Sequence, residues 1–264
     1  MAGRTELRAE GSRLELTLHR QGDELGLIPY TMAGYPDRSR SIEHGRAYAR
    51  AGAAAVEVGV PYSDPLADGP VVQRAGQAAL DQGTTLADSI RVAAAIAEEG
   101  APVVLMTYVN PILSHGAKRF AADCAGAGIA GVIVPDVPAE ESEPLTDPLR
   151  AAGLDTIFLV APTSPDARIR QIVQQSSGFV YCVTLAGVTG PRAELDPGLE
   201  ALLLRLRAAT TLPVAAGFGI STPVHLRRLR GKADAAVVAS ALLARIHAGE
   251  EPLTLAGELL QACR

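Results

Sequence analysis

The sequence predicts a single (β/α)8 TIM barrel, and three observations carry that expectation. Eight short apolar runs recur along the 264 residues: Leu27–Thr31, Ala55–Val60, Val103–Thr107, Gly131–Val134, Thr156–Val160, Phe179–Val183, Pro213–Ala216 and Ala235–Ala239. Each is about five residues long, rich in β-branched side chains and bounded by Gly, Pro or Asp, as strands buried on both faces of a parallel sheet should be. Stretches of helical period alternate with them, and eight alternations in 264 residues give about 33 residues per unit, the rhythm of this barrel.

The helical stretches are Ile42–Ala51, Leu86–Glu98, Ala117–Gly126, Glu140–Ala152, Asp166–Gln175, Gly198–Ala208 and Pro223–Leu229. Start signals stand at Thr84 to Asp88, at Ser164-Pro165-Asp166 and at Ser221-Thr222-Pro223. An extra N-terminal helix is expected over about residues 4–20, a C-terminal helix over about 252–262, and a short helix after the eighth strand, over Ala241–Ile246. The competing fold, a doubly wound sheet, normally announces a glycine-rich dinucleotide turn after its first strand. Met32-Ala33-Gly34-Tyr35-Pro36 follows the first run here and has no such pattern. No linker-like composition divides the chain, so residues 1–264 are expected to form one domain.

Composition narrows the function. With 24 Lys+Arg against 29 Asp+Glu the net charge is −5, which argues against a nucleic-acid partner. No apolar run approaches the ~20 residues of a membrane-spanning helix, and the charged start of the chain is not a signal peptide. Three widely spaced cysteines give no disulfide framework or metal knuckle, so a reducing, cytoplasmic setting is expected. There are only two lysines, Lys118 in a helical stretch and Lys232 in a loop, and none of the five histidines neighbours another. Chemistry through a strand lysine or a histidine-bound metal is therefore disfavoured. Carboxylate acid/base catalysis without a cofactor remains.

The second run carries the strongest catalytic signal. Glu57 interrupts Ala54-Ala55-Val56-Glu57-Val58-Gly59-Val60, and alternation along a strand turns it into the barrel while Val56 and Val58 face the helices. A buried carboxyl has a raised pKa, which suits a general acid or base; a structural Glu paired with an interior Arg is the alternative. The loop Pro61-Tyr62-Ser63-Asp64-Pro65-Leu66-Ala67-Asp68-Gly69-Pro70 adds two aspartates over the mouth, where barrel enzymes keep their active sites. Turn formation accounts for one of the two. Across the mouth, Gly187-Val188-Thr189-Gly190, Gly217-Phe218-Gly219 and Ala239-Ser240 follow the last three runs. Backbone N–H groups there and at a helix start suit a phosphate, so a phosphorylated small molecule is expected.

Several of these stretches resemble the tryptophan synthase alpha chain family. They are Pro29-Tyr30 with Ala33-Gly34-Tyr35-Pro36-Asp37, then Glu57–Pro70, Met106-Thr107-Tyr108-Val109-Asn110-Pro111 and Pro135-Asp136-Val137-Pro138. Phe158-Leu159-Val160-Ala161-Pro162-Thr163-Ser164, Gly187–Gly190 and Gly217-Phe218-Gly219-Ile220-Ser221 extend the likeness over about residues 27–243, with Ser63–Pro70 the most specific. The resemblance implies retro-aldol cleavage of indole-3-glycerol phosphate to indole and glyceraldehyde 3-phosphate in tryptophan biosynthesis, with no cofactor. It implies that Glu57 is the general acid/base and that Asp68 stabilises positive charge on the indole nitrogen. It implies further that Tyr181 lies near the acid, and that Thr189 closes onto Asp68. Gly190, Gly219 and Ser240 would hold the phosphate, and Tyr30, Met106 and Ile133 would wall the indole pocket. Ala239 stands where the family usually has glycine. The implied partner is a tryptophan synthase beta chain in an alpha2beta2 tetramer. The alternatives are a free-standing lyase of secondary metabolism and a non-catalytic barrel that activates a partner, the latter disfavoured by the presence of both Glu57 and Asp68.

Overall fold

The computed structural model describes residues 11–19, 23–183, 197–217 and 219–264. In chain order the elements are α1 (Arg13–Leu18), β1 (Gly26–Met32), α2 (Arg38–Arg50), β2 (Val56–Gly59), α3 (Pro70–Asp81), α4 (Leu86–Ala97), β3 (Val103–Met106), α5 (Val109–His115) and α6 (Ala117–Gly126). Then follow β4 (Gly131–Ile133), a 3-10 turn (Ala139–Glu141), α7 (Glu143–Ala151), β5 (Asp155–Ile157), β6 (Leu159–Val160), α8 (Asp166–Gln175) and β7 (Val180–Val183). The chain finishes with α9 (Pro197–Ala209), β8 (Val214–Gly217), α10 (Pro223–Leu229), β9 (Ala235–Val238), α11 (Ser240–His247) and α12 (Pro252–Cys263).

All the strands are parallel, in the order β5-β4-β3-β2-β1-β9-β8-β7-β6. The two ends of that order, β5 and β6, are successive pieces of one expected strand, separated only by Phe158. The first piece pairs with β4 and the second with β7. One run thus spends its first half on one neighbour and its second half on the other, and chain continuity closes the ring. Side chains keep alternating through the break: Ile157 joins the inner core, Phe158 and Val160 the outer one.

Alternation sorts the core into two layers. Val56, Val58, Leu105, Val132 and Val238 belong to the layer between strands and helices. Ile28, Tyr30, Met106, Ile133, Tyr181 and Val237 fill the barrel interior. Leu14 and Leu18 of α1 join that interior cluster, and Leu14 reaches the start of β4, where a Cβ on Gly131 would lie 3.0 Å from its Cδ1. The helix therefore plugs the floor, and full burial of each leucine stabilises by about 1.5–3 kcal/mol.

The expected N-terminal helix over 4–20 is narrower where described. Ser12 caps α1 by accepting the Glu15 amide, and the backbone turns extended at His19. Residues 1–10 and 20–22 lie outside the described residues. Two helices were not anticipated. The buried face of α3 is Val72, Ala75, Gly76 and Ala79, a helical spacing made mostly of small side chains; α5 is short and buries Ile112 alone. The cap of α4 is Thr85, one residue past the expected Thr84, with a reciprocal capping box to Asp88. Ser164 does not cap α8; its hydroxyl accepts the Ala161 amide at 3.2 Å instead. Thr222 caps α10 as expected, with Pro223 in the first turn.

Candidate active site

Glu57 lies in the middle of β2, opposite Tyr30 on β1 and Val104 on β3, and only 1% of its surface is exposed. Its strand neighbours Val56 and Val58 face the helices, so the carboxyl points into the barrel as the alternation demanded. Burial raises the carboxyl to about 8, and the Asp68 charge pushes it in the same direction. Its buried Oε2 has no hydrogen-bond partner among the described residues, and no cation there offsets its burial. Among the described residues no interior arginine neutralises Glu57, so the structural alternative has no support there. A carboxyl left in this condition holds its proton near neutral pH and is free to give it to a ligand.

The loop after β2 separates the two aspartates by role. Asp64 is exposed and accepts the Ser63 hydroxyl at 2.5 Å, a local turn contact. Asp68 turns inward instead. The Tyr108 hydroxyl donates to its Oδ2 at 3.2 Å. Burial lifts its carboxyl to about 6, and the Tyr108 hydrogen bond holds it back from rising further. The main chain around Asp68 is fixed as well: Gln73 of α3 donates its side-chain amide to the Asp68 carbonyl at 2.8 Å. Tyr108 ties the loop again by accepting the Ala67 amide at 3.0 Å.

Tyr108 is held in turn. Its ring stacks on Tyr62 with centroids 4.9 Å apart and planes 24° apart, and Asn110 donates to the Tyr62 hydroxyl at 2.9 Å. The amide at the start of α5 donates to Asp136 Oδ1 at 3.0 Å, which joins the ends of β3 and β4. Tyr108, Tyr62 and Asn110 were not among the expected site residues. Tyr108 follows the third apolar run directly, at the C-terminal end of a barrel strand, and that position was the available signal. Replacing Tyr108 with Phe removes the donor to Asp68 and the acceptor for Ala67. The Asp68 carboxyl then rises, so the acid-side limb of kcat/KM moves to higher pH and the rate at pH 7 falls by about two- to tenfold, the worth of one hydrogen bond. A pH–rate profile of Tyr108→Phe checks this; an unmoved acid limb contradicts it.

The remaining expected residues divide between described and undescribed parts. Tyr30, Met106, Ile133 and Tyr181 are all buried in the interior cluster. Two glycines make room for the tyrosines: a Cβ on Gly59 would lie 1.7 Å from the Tyr30 oxygen, and one on Gly217 would lie 2.5 Å from the Tyr181 oxygen. Both phenols keep their protons, because burial and the Glu57 and Asp68 charges raise them well above the usual range. Gly219 follows β8 with φ +77, a left-handed backbone that favours glycine, and is exposed. Ser240 opens α11, and Ala239 before it has φ −111 and ψ −71, so alanine there is unstrained. Because β8 and β9 are paired, these two stations lie at neighbouring strand ends. Thr189 and Gly190 lie outside the described residues. Of the two lysines, Lys118 is on α6 and Lys232 is paired with Glu200 at 2.7 Å.

A parallel barrel that gathers a proton-holding glutamate, a partly buried aspartate and apolar walls at the C-terminal ends of its strands belongs to the (β/α)8 acid/base enzymes. The comparisons narrow that class. The family model described as tryptophan synthase alpha chain matches residues 16–263. A tryptophan synthase alpha chain from Roseiflexus sp. (strain RS-1) is 49% identical over 226 residues, covering 85% of this chain and 87% of that protein. One from Microcystis aeruginosa is 44% identical over 250 residues, 94% of each. A structure of Mycobacterium tuberculosis tryptophan synthase superposes with a TM-score of 0.91 at 38% identity, covering 97% of this chain and 99% of that one. The chain belongs to the tryptophan synthase alpha chain family.

Proposed function

We propose that this chain is the alpha subunit of tryptophan synthase and cleaves indole-3-glycerol phosphate, with Glu57 as its general acid/base and Asp68 as its charge stabiliser. Family membership supplies the reaction, and one observation supports the assignment of roles. Glu57 is a buried carboxyl raised to about 8, with its Oε2 unpartnered among the described residues and the Asp68 charge acting on it. In the resting enzyme at neutral pH Glu57 carries its proton. It delivers that proton to the ring carbon bearing the side chain, and the positive charge that appears on the indole nitrogen is offset by the Asp68 carboxylate. The Glu57 carboxylate then takes the proton of the adjacent side-chain hydroxyl. The carbon–carbon bond breaks, its electrons return to the ring, and indole and glyceraldehyde 3-phosphate leave with Glu57 protonated again.

Tyr30, Met106 and Ile133 wall the indole, Tyr181 lies near the acid, and Gly190, Gly219 and Ser240 hold the phosphate. Thr189 closes onto Asp68. The exposed starts of the segments after β8 and β9 suit an anion, because backbone N–H groups at a helix start are unsatisfied. The chain works as one domain over residues 1–264, in the cytoplasm, with a beta chain that receives indole in an alpha2beta2 assembly. Among the described residues no helix is long and apolar enough to cross a membrane.

The test is the pH dependence of cleavage. Asp68 must be ionised and Glu57 protonated, so kcat/KM is bell-shaped, falling below about 6 and above about 8. A profile that keeps rising above pH 9 contradicts the assignment of Glu57 as the acid.

A further inference from the structure

Tyr30 is poorly explained as a piece of apolar wall. A phenylalanine would supply the same ring, yet the chain places a hydroxyl inside the barrel and keeps Gly59 to admit it. The Tyr30 oxygen lies where a Gly59 Cβ would stand, 1.7 Å from that position, so the ring leans over the end of β2 toward the mouth. Gly59 is level with Met106 of β3, at the C-terminal end of both strands. Among the described residues the hydroxyl makes one hydrogen bond, a donation to the Met32 sulfur at 3.9 Å, and a thioether is a weak acceptor. On the neighbouring strand the residue directly opposite is Glu57, whose Oε2 has no hydrogen-bond partner among the described residues. Two buried polar groups thus stand side by side on one face, Glu57 with an unpartnered oxygen and Tyr30 with only a weak acceptor that a better one can displace.

We infer that the Tyr30 phenol is a hydrogen-bonding contact for the side-chain hydroxyl of the bound substrate, paired with Glu57 on the same oxygen. This rests on the reading of Glu57 given above. A substrate hydroxyl fits both groups at once, since it donates its hydrogen to the glutamate and accepts one on its oxygen. The phenol is a donor that does not give its proton away, because burial and the charges of Asp68 and Glu57 hold the proton on it. As the carbon–carbon bond breaks, the hydroxyl oxygen loses its proton to Glu57 and becomes the aldehyde oxygen. Negative charge builds there in passing, and a fixed O–H aimed at it helps most at that moment.

Tyr30→Phe, assayed together with the beta chain, tests the inference. It keeps the ring and removes one oxygen. The expected result is a five- to tenfold fall in kcat/KM for indole-3-glycerol phosphate, with the inhibition constant of an indolyl-propyl phosphate lacking the side-chain hydroxyls unchanged within twofold. The limbs of the pH profile stay in place. A kcat/KM within twofold of the parent overturns the inference. So does a parallel weakening of the deoxy inhibitor, which marks a displaced ring, or a shifted pH limb, which marks an action on the carboxyls instead. Glu57→Gln separates the two readings. If that variant retains activity, the assignment of Glu57 fails whatever Tyr30→Phe does; if it is inactive while Tyr30→Phe is normal, only the inference about Tyr30 fails.

Discussion

Glu57→Gln loses nearly all cleavage activity, by about 10²- to 10⁴-fold in kcat, while folding normally. The amide matches the carboxyl in size, so the β2 register and the interior packing persist. It can neither protonate the ring carbon nor take the hydroxyl proton, and Asp68, the other carboxyl of the mouth, titrates lower, at about 6, and is needed ionised. The same variant carries a stability signature. Glu57 has a folded pKa of about 8 against an ordinary value of 4.5, so the folded state holds its proton more tightly than the unfolded one. The parent therefore loses stability as pH rises from about 4.5 to about 8, when a buried carboxyl must ionise. Glutamine has nothing to ionise. Thermal unfolding at pH 5 and pH 8.5 should show the variant gaining on the parent at the higher pH; a constant difference between them contradicts the buried-acid account.

Asp68→Asn is the second large effect, expected at about 10²- to 10³-fold in kcat, the range seen when one charge-stabilising contact is removed from a transition state. Asparagine still accepts the Tyr108 hydroxyl, so the loop retains the Ala67, Gln73 and Tyr108 contacts that position it. What disappears is the negative charge facing the indole nitrogen. Substrate affinity should change by much less than kcat, because that charge matters once the ring is protonated. Steady-state kinetics of Asp68→Asn checks this. An effect confined to KM assigns Asp68 to ground-state binding and removes it from the chemistry.

The parts of the site that could be read in the sequence are those set by short-range rules. Glu57 points inward because a strand alternates, and a charged residue between Val56 and Val58 has only one face left. The eightfold rhythm came from runs bounded by Gly, Pro and Asp, although pairing divides the fifth run between two neighbours and yields nine pieces. Local rules did not say which of the two loop aspartates faces the cavity, and only the family resemblance pointed to Asp68, since its side chain is held by Tyr108, 40 residues away. The Tyr62–Tyr108 stack is likewise a contact between two loops that no local pattern announces. Helix α3 escaped because Ala75, Gly76 and Ala79 pack closely without the large apolar residues that make a helical period visible. The ease of Ala239 needed the backbone itself: its negative φ is what frees the position from glycine.

The proposed chemistry requires a protonated Glu57 inside the barrel. It is tested most directly by a pH titration of side-chain-labelled glutamate in the free enzyme, followed by carbon NMR and assigned by the signal missing from Glu57→Gln. The expected Glu57 midpoint is near 8, coinciding with the upper limb of the parent's kcat/KM profile. A midpoint near the ordinary value of 4.5 would leave Glu57 ionised in the resting enzyme and contradict it.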